Sequence, residues 1–326
     1  MKKSWASRCQ ACTYIRAYTE SYMPAQQQNA TTSFAKATGL LRLFVFVSAV
    51  LPWAITPVAT GAEDETHVAV PSAGTDAALT SEVREILQHE IKAQDDDKTL
   101  WCYRKLLDKD GKRQLFASCQ TEAAEINRLM AENGKPLSAQ QWQLEDSRIT
   151  KLLGNPSQLK KQKQQQLEDE RQATNLLKMI PEAFVFQQES RDADRVKLNF
   201  TPNPKFRPSG SSEFVFYHME GTLTLDLKQK RLVEISGRLV SEVKFAGGLL
   251  GHLDKGGTFF VRQQEVTPGH WEMTRMDVQM NGKVLFFKTI SVRSNEIDTD
   301  FHAVPPATSI QQVAALTDQT SERGND

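Results

Sequence analysis

A succession of short strand-like runs, each closed by a turn signal, governs what this chain can fold into. After Phe184 the sequence alternates apolar and polar residues in stretches rich in Thr, Val and Phe, such as LTLDL, TFFVRQQEV and VLFFKTISV. Period-two alternation bounded by Gly, Pro and Asn predicts half-buried strands. The runs fall near residues 183–188, 195–200, 213–219, 221–228, 231–245, 257–266, 270–281 and 283–293. The links NPKFRPSGSS, KQK, GGLLGHLDKGG, TPGH and NGK separate them. All but the first and third are hairpin-sized, and a hairpin joins antiparallel neighbours, so the expected sheet is an antiparallel meander.

A further hairpin is written earlier in the chain. WCYRKLLDKDGKRQLFASC carries Asp110-Gly111 between two apolar-aromatic stretches, the strongest short-range signal for a two-residue turn. With that turn, Lys109 faces Lys112 and Cys102 faces Cys119. Counting outward from the turn makes the cysteines a non-hydrogen-bonded pair, whose Cα atoms lie about 4.5 Å apart, within disulfide range. A cross-strand disulfide is therefore expected. Two reduced cysteines would instead act as small hydrophobes, and a bulged three-residue loop would move them out of register.

The remaining elements are helical. Thr80 can cap a helix to about Asp95 with Val83, Ile86, Leu87 and Ile91 as its apolar stripe. A third strand is read near Glu125–Met130. Ser138 with Gln141 forms a capping box for a helix that ends at Gly154-Asn155-Pro156. Residues 157–180 form another, whose first half, QLKKQKQQQLEDER, reads as a solvated face because acids offset its cations. ATSIQQVAALT adds a short helix near the C-terminus. The fold class is α+β: a curved antiparallel sheet of about 10–11 strands covered by about three helices, since a sheet that size must curl or be covered.

The N-terminal residues read as a leader. Arg42 is followed by LFVFVSAVLPWAI, Leu43 to Ile55 without a charge; a spanning helix needs roughly 20 apolar residues. Thr60-Gly61-Ala62 supplies small residues before Glu63-Asp64-Glu65, so residues 1–62 are expected to be a signal peptide cleaved after Ala62. Its long n-region makes Met23 an alternative start, and a retained anchor is the competing reading. Residues 63–79 read as a flexible tether, 80–318 as the domain and 319–326 as a disordered tail. The sequence has 40 basic and 40 acidic residues; cleavage removes six cations (Lys2, Lys3, Arg8, Arg16, Lys36, Arg42) and Glu20, leaving 34 and 39, a net of −5. That balance argues against a nucleic-acid partner. Export to the periplasm would leave only Cys102 and Cys119 and permit their pairing; Cys9 and Cys12 of the leader carry no strand–helix context for a redox or zinc motif.

No catalytic pattern stands out. The six histidines are scattered without His/Cys metal spacing. There is no Gly-x-Ser-x-Gly, Walker loop or dinucleotide fingerprint. His252 with Asp254 and His270 with Glu272 read as surface or capping residues. No enzyme activity, metal or cofactor is expected. Two other features hold more promise. The loop GGLLGHLDKGG offers Leu249, Leu250 and Leu253, either tucked under the sheet edge or exposed as a tip that meets a partner or, peripherally, a membrane. The strands also carry many large apolar side chains, among them Phe184, Phe186, Phe216, Leu225, Ile235, Trp271, Met273 and Phe287. Each contributes about 1.5–3 kcal/mol when buried, so most must be enclosed, in a packed core or around a cavity.

ENGKPLSAQQ (132–141), LDLKQKRLVEISGRLVSEVKFAGGLLGHLDKGGTFFVRQQEV (225–266) and GHWEMTRMDVQMNGKVLFFKTISVRSNEIDTDFHAVP (269–305) carry a resemblance. They resemble the periplasmic lipoprotein-localisation carriers, LolA/LolB-like outer-membrane lipoprotein-sorting proteins, and more closely an uncharacterised branch of exported bacterial proteins with that fold. The resemblance implies a half-open barrel around a helical lid, with the eight residues named above lining a cavity for a lipid or lipoprotein acyl chain. Two functions follow as expectations: a non-enzymatic periplasmic carrier or sensor of acyl chains, or an envelope protein–protein interaction module with a filled core. A continuous cavity would mark the first and a filled interior the second.

Overall fold

The computed structural model describes residues 73–208, 210–284 and 288–322. The leader with its cleavage point, the Met23 start, Cys9 and Cys12, residues 63–72, Phe287 and the last four residues lie outside the described residues.

The chain forms α1 (Ala73–Asp96), β1 (Trp101–Lys109), β2 (Lys112–Gln120), β3 (Glu125–Glu132), β4 (Lys135–Pro136), α2 (Ala139–Leu153) and α3 (Pro156–Ala183). It continues with β5 (Phe184–Arg191), β6 (Arg195–Pro202), a 3₁₀ segment (Ser211–His218), β7 (Met219–Asp226), β8 (Arg231–Leu239) and β9 (Val243–Phe245). β10 (Gly251–Leu253), β11 (Thr258–Thr267), β12 (His270–Val284), β13 (Lys288–Ala303) and α4 (Ile310–Glu322) complete it. Among the described residues the strands make one antiparallel 13-stranded sheet in the order β4-β3-β2-β1-β13-β12-β11-β8-β7-β6-β5, with β9 and β10 attached beside β12. The sheet is open, because β4 and β5 are its two ends. Two meanders are thus joined by β1 against β13, the first strand beside the last.

The expected hairpin forms in the expected register, Lys109 opposite Lys112 and Cys102 opposite Cys119. Asp110 and Gly111 both take positive φ, 53° and 84°, as a primed two-residue turn requires. The cysteines are disulfide-bonded with Cα atoms 4.0 Å apart. Ser138 and Gln141 form the full capping box of α2.

Several expectations are corrected. Residues 213–219 are not a strand: Ser211–His218 is 3₁₀, which buries the adjacent Val215 and Phe216 together and turns Phe214 outward, where strand alternation would have put Phe214 and Phe216 on one face. The run 231–245 is broken into β8 and β9, and the GGLLGHL loop contains β10. Asn281-Gly282-Lys283 is not a turn but part of β12, with Gly282 opposite Ile290 and Val284 opposite Lys288. Gly282 is there for close approach: a Cβ would stand 2.2 Å from the His252 carbonyl oxygen on β10. α1 takes in residues 73–79 of the expected tether, and α4 reaches residue 322.

The helices cover opposite faces of the sheet at its two halves. α1 and α3 pack on β5–β8, β11 and β12 through Val83, Ile86, Leu87, Leu176, Leu177 and Ile180, in one apolar core. α2 and α4 cover the other face over β1–β3, around Cys102, Cys119, Ile126, Ile149 and Val313.

Candidate functional site

The sheet face beneath α1 and α3 holds most of the residues expected to line a cavity. Phe184, Phe186, Phe216, Leu225, Ile235 and Met273 all belong to the same buried core as the α1 and α3 stripes. Phe184 meets Phe200 and Phe216 with ring centroids 4.5 and 5.4 Å apart. Trp271 is buried at the margin of this core. The structure brings the first six together as packing partners, whereas Trp271 meets Arg231 and Gln229 instead.

Across β13 and β1 the same face changes character. The row Phe259–Val278–Ser294–Lys109 runs over β11, β12, β13 and β1 by register, and alternation then places Lys105 and Tyr103 on that face too. They are buried with Glu125, Glu296 and Asp298. Glu125 accepts from the Tyr103 hydroxyl at 2.6 Å and from Lys105 Nζ at 3.0 Å, and Lys105 Nζ also stands 3.7 Å from Glu296. The β1–β13 part of this face is therefore polar, a poor lining for an acyl chain. The polar stretch of α3 answers it: Gln166 and Asp169 are buried, so the expected solvated face is only partly solvated.

Asp169 accepts from Gln165 at 2.8 Å. Burial pushes its carboxyl up to about 6 from 3.8, with the neighbouring Glu168 charge adding to the rise and the Gln165 bond opposing it. A carboxyl raised in the fold binds more protons folded than unfolded, so stability falls as pH rises from about 4 through about 6. Asp169→Asn is accordingly expected to raise the melting temperature at pH 7.5, with the gain shrinking as pH falls through 6 toward 4; calorimetry across that range checks it.

On β8 and β11, Glu90 of α1 clamps the sheet. Glu90 is fully buried and accepts from Arg231 Nε at 2.7 Å, Arg231 Nη2 at 3.1 Å and the Leu232 N–H at 2.9 Å. Gln263 Nε2 approaches it at 3.3 Å. The Arg231 guanidinium lies 5.3 Å from the Trp271 ring centre, and Trp271 Nε1 donates to Gln229 at 2.9 Å. Beside the clamp opens a cleft of about 140 Å³ whose lining includes Asp97, Tyr103, Glu170, Arg231, Trp271 and Asp298. Near its rim His270 Nδ1 meets Asp97 at 2.8 Å. Burial acts to raise the Asp97 carboxyl, but the Thr99 N–H and the His270 ring outweigh it and hold it below the ordinary range. The partner of His270 is thus Asp97, distant in sequence, on the segment that follows α1. Among the described residues no group of three or more His, Cys, Asp or Glu is placed to hold a metal, and no helix is long and apolar enough to cross a membrane.

The glycine-rich loop splits its leucines three ways. Leu253 is buried on β10, Leu250 is partly buried against the core, and Leu249 is 62% exposed. Phe214, on the 3₁₀ segment that packs against β9, is 45% exposed. Leu249 is thus the exposed apolar side chain of this loop.

Sequence reasoning missed the clamp, though a signal was present. Glu90 follows Val83, Ile86 and Leu87 at helical spacing, so it falls on the buried stripe, where a carboxylate demands a partner.

No family model matches the sequence, and no curated protein matches it. A solved structure does: the crystal structure of a DUF1329 family protein from Desulfovibrio piger, 8% identical, covering 74% of this chain and 98% of that chain, with a TM-score of 0.26. At that TM-score the likeness carries no argument about this chain.

Proposed function

We propose that the chain is an exported, non-catalytic interaction module of the bacterial envelope, an open half-barrel whose interior its own side chains and helices fill. The observation that carries this reading is the packing of Phe184, Phe186, Phe216, Leu225, Ile235 and Met273 into one core with α1 and α3. The partner is an envelope protein, and its contact is the exposed Leu249 of the glycine-rich loop. A photo-crosslinking residue at 249 in intact cells is expected to give a discrete protein adduct, and one at the exposed Lys228 none. An absent adduct, or equal adducts at both sites, would overturn the assignment. Leu249→Asp is expected to weaken the contact at least tenfold while leaving stability within about 0.5 kcal/mol, because the side chain is exposed.

The acyl-chain carrier of the resemblance stands as the second reading. It draws support from the way α1 covers the apolar face: the helix is fastened at its rim by the ion pairs Glu82–Arg191, Arg84–Glu182 and Glu85–Lys230, so its release would bare that face. Delipidated protein that takes up a fluorescent fatty acid would favour this reading. Absence of uptake favours the filled module.

A further inference from the structure

The geometry points to a saccharide-binding trough on the sheet face opposite α1 and α3, beyond the region that α2 and α4 cover. The trough is open, with a volume of about 670 Å³, inside the range of 300–1,000 Å³ typical of small-molecule sites. Its floor is one row of side chains across four strands: Phe260 opposite Asp277, Asp277 opposite Asn295, and Asn295 opposite Asp108. Gln279, opposite Arg293, forms part of the next row. The β1–β2 turn contributes Asp110 and Gly111 to the lining.

The chemistry of this floor selects the ligand. Asp, Asn, Gln and Arg present flat groups with paired acceptors and donors, which suit adjacent hydroxyls of a sugar ring. Phe260 supplies an apolar ring for the C–H face of that sugar, and the guanidinium groups of Arg262 and Arg275, each 5.2 Å from its centroid, hold the ring in place. Asp277 is likewise fixed, by Arg275 Nε at 2.8 Å and by the Asn295 amide. Among the described residues, no salt bridge engages the Asp108 carboxylate or the Arg293 guanidinium, and the Gln279 amide makes no side-chain hydrogen bond. These three groups are left to a ligand or to water.

Other ligand classes fit less well. Asp277 is already neutralised by Arg275, so Asp108 and Asp110 face Arg293 and leave no net positive charge to hold a phosphate or carboxylate anion. A peptide needs a free strand edge or an apolar pocket, and β1, β11, β12 and β13 are each paired on both sides. An acyl chain finds one aromatic ring among charges. A neutral oligosaccharide meets what the trough offers.

The test is titration of the full chain with cellotetraose and with chitotetraose, followed by amide NMR shifts. Saturable shifts are expected at Asp277, Gln279 and Asn295 with at least one of the two, and Phe260→Ala and Asn295→Ala are each expected to weaken that binding about tenfold. Should Phe260→Ala fail to fold, Gln279→Ala and Asp108→Asn, at positions facing solvent, carry the same expectation. No saturable shift with either sugar, or unchanged affinity in these variants, overturns the assignment. So does a peptide library that shifts the trough amides where both sugars leave them still. The outcome is independent of the crosslink at residue 249, which reports on the opposite aspect of function.

Discussion

Glu90→Ala is expected to remove about 3–5 kcal/mol of stability, the range for breaking a buried ion pair. The substitution leaves Arg231 buried without its counter-charge and leaves the Leu232 N–H without its acceptor. The cost comes from stranding the cation, not from forfeiting a favourable attraction. The control separates the two. In Glu90→Met with Arg231→Met both charges are gone, and a buried pair replaced by apolar residues of similar size is often neutral. Here recovery should be incomplete, because the Leu232 N–H remains orphaned at about 1–3 kcal/mol. Urea unfolding followed by tryptophan fluorescence reads all three proteins, with Trp271 beside the pair as a local reporter. A Glu90→Ala loss below about 1 kcal/mol, the range of an exposed pair, would show that α1 is not tied to the sheet through this residue.

Cys102→Ala with Cys119→Ala should rank next. The bridge spans a sequence separation of 17, for which chain-entropy arguments give about 3 kcal/mol. Both cysteines also belong to the core beneath α2 and α4, so alanine there loses contacts as well. The disulfide is buried, which means a reductant must reach it through unfolding. Denaturation with and without reductant is therefore the measurement: with reductant the wild-type midpoint is expected to fall most of the way to that of the double variant, stopping short by the core contacts that alanine loses. A midpoint insensitive to reductant would mean that the thiols are not bridged.

How legible all this was depended on whether the signal was local. Asp110-Gly111 specified its turn, the register and the cysteine pairing, because turn chemistry is settled within a few residues. Ser138 and Gln141 specified a helix start for the same reason. Asn281-Gly282 misled, since a glycine required by the approach of β10 looks in sequence like one required by a turn. FVF at 214–216 misled because alternation at so short a length does not separate a strand from a 3₁₀ turn. Of the functional candidates, the apolar residues were found but not their arrangement: whether Phe184 and Phe216 face a space or each other depends on where α1 lies, which no local pattern records. The trough was invisible for a related reason. Its floor draws on residues from four strands that only the sheet order makes neighbours.

That order has a consequence for how the molecule is made. Trp101 pairs with Ala303, so the N-terminal meander cannot complete its hydrogen bonding until the chain has been synthesised at least as far as residue 303. Contacts of such long sequence separation close slowly. In the interval β1 has a bare edge, the kind of surface that recruits other chains. The Cys102–Cys119 bridge can form early, since its hairpin is self-contained, and would hold β1 and β2 in register while they wait. A product that ends before β13 would keep that edge indefinitely, which predicts aggregation of C-terminal truncations out of proportion to the number of residues removed.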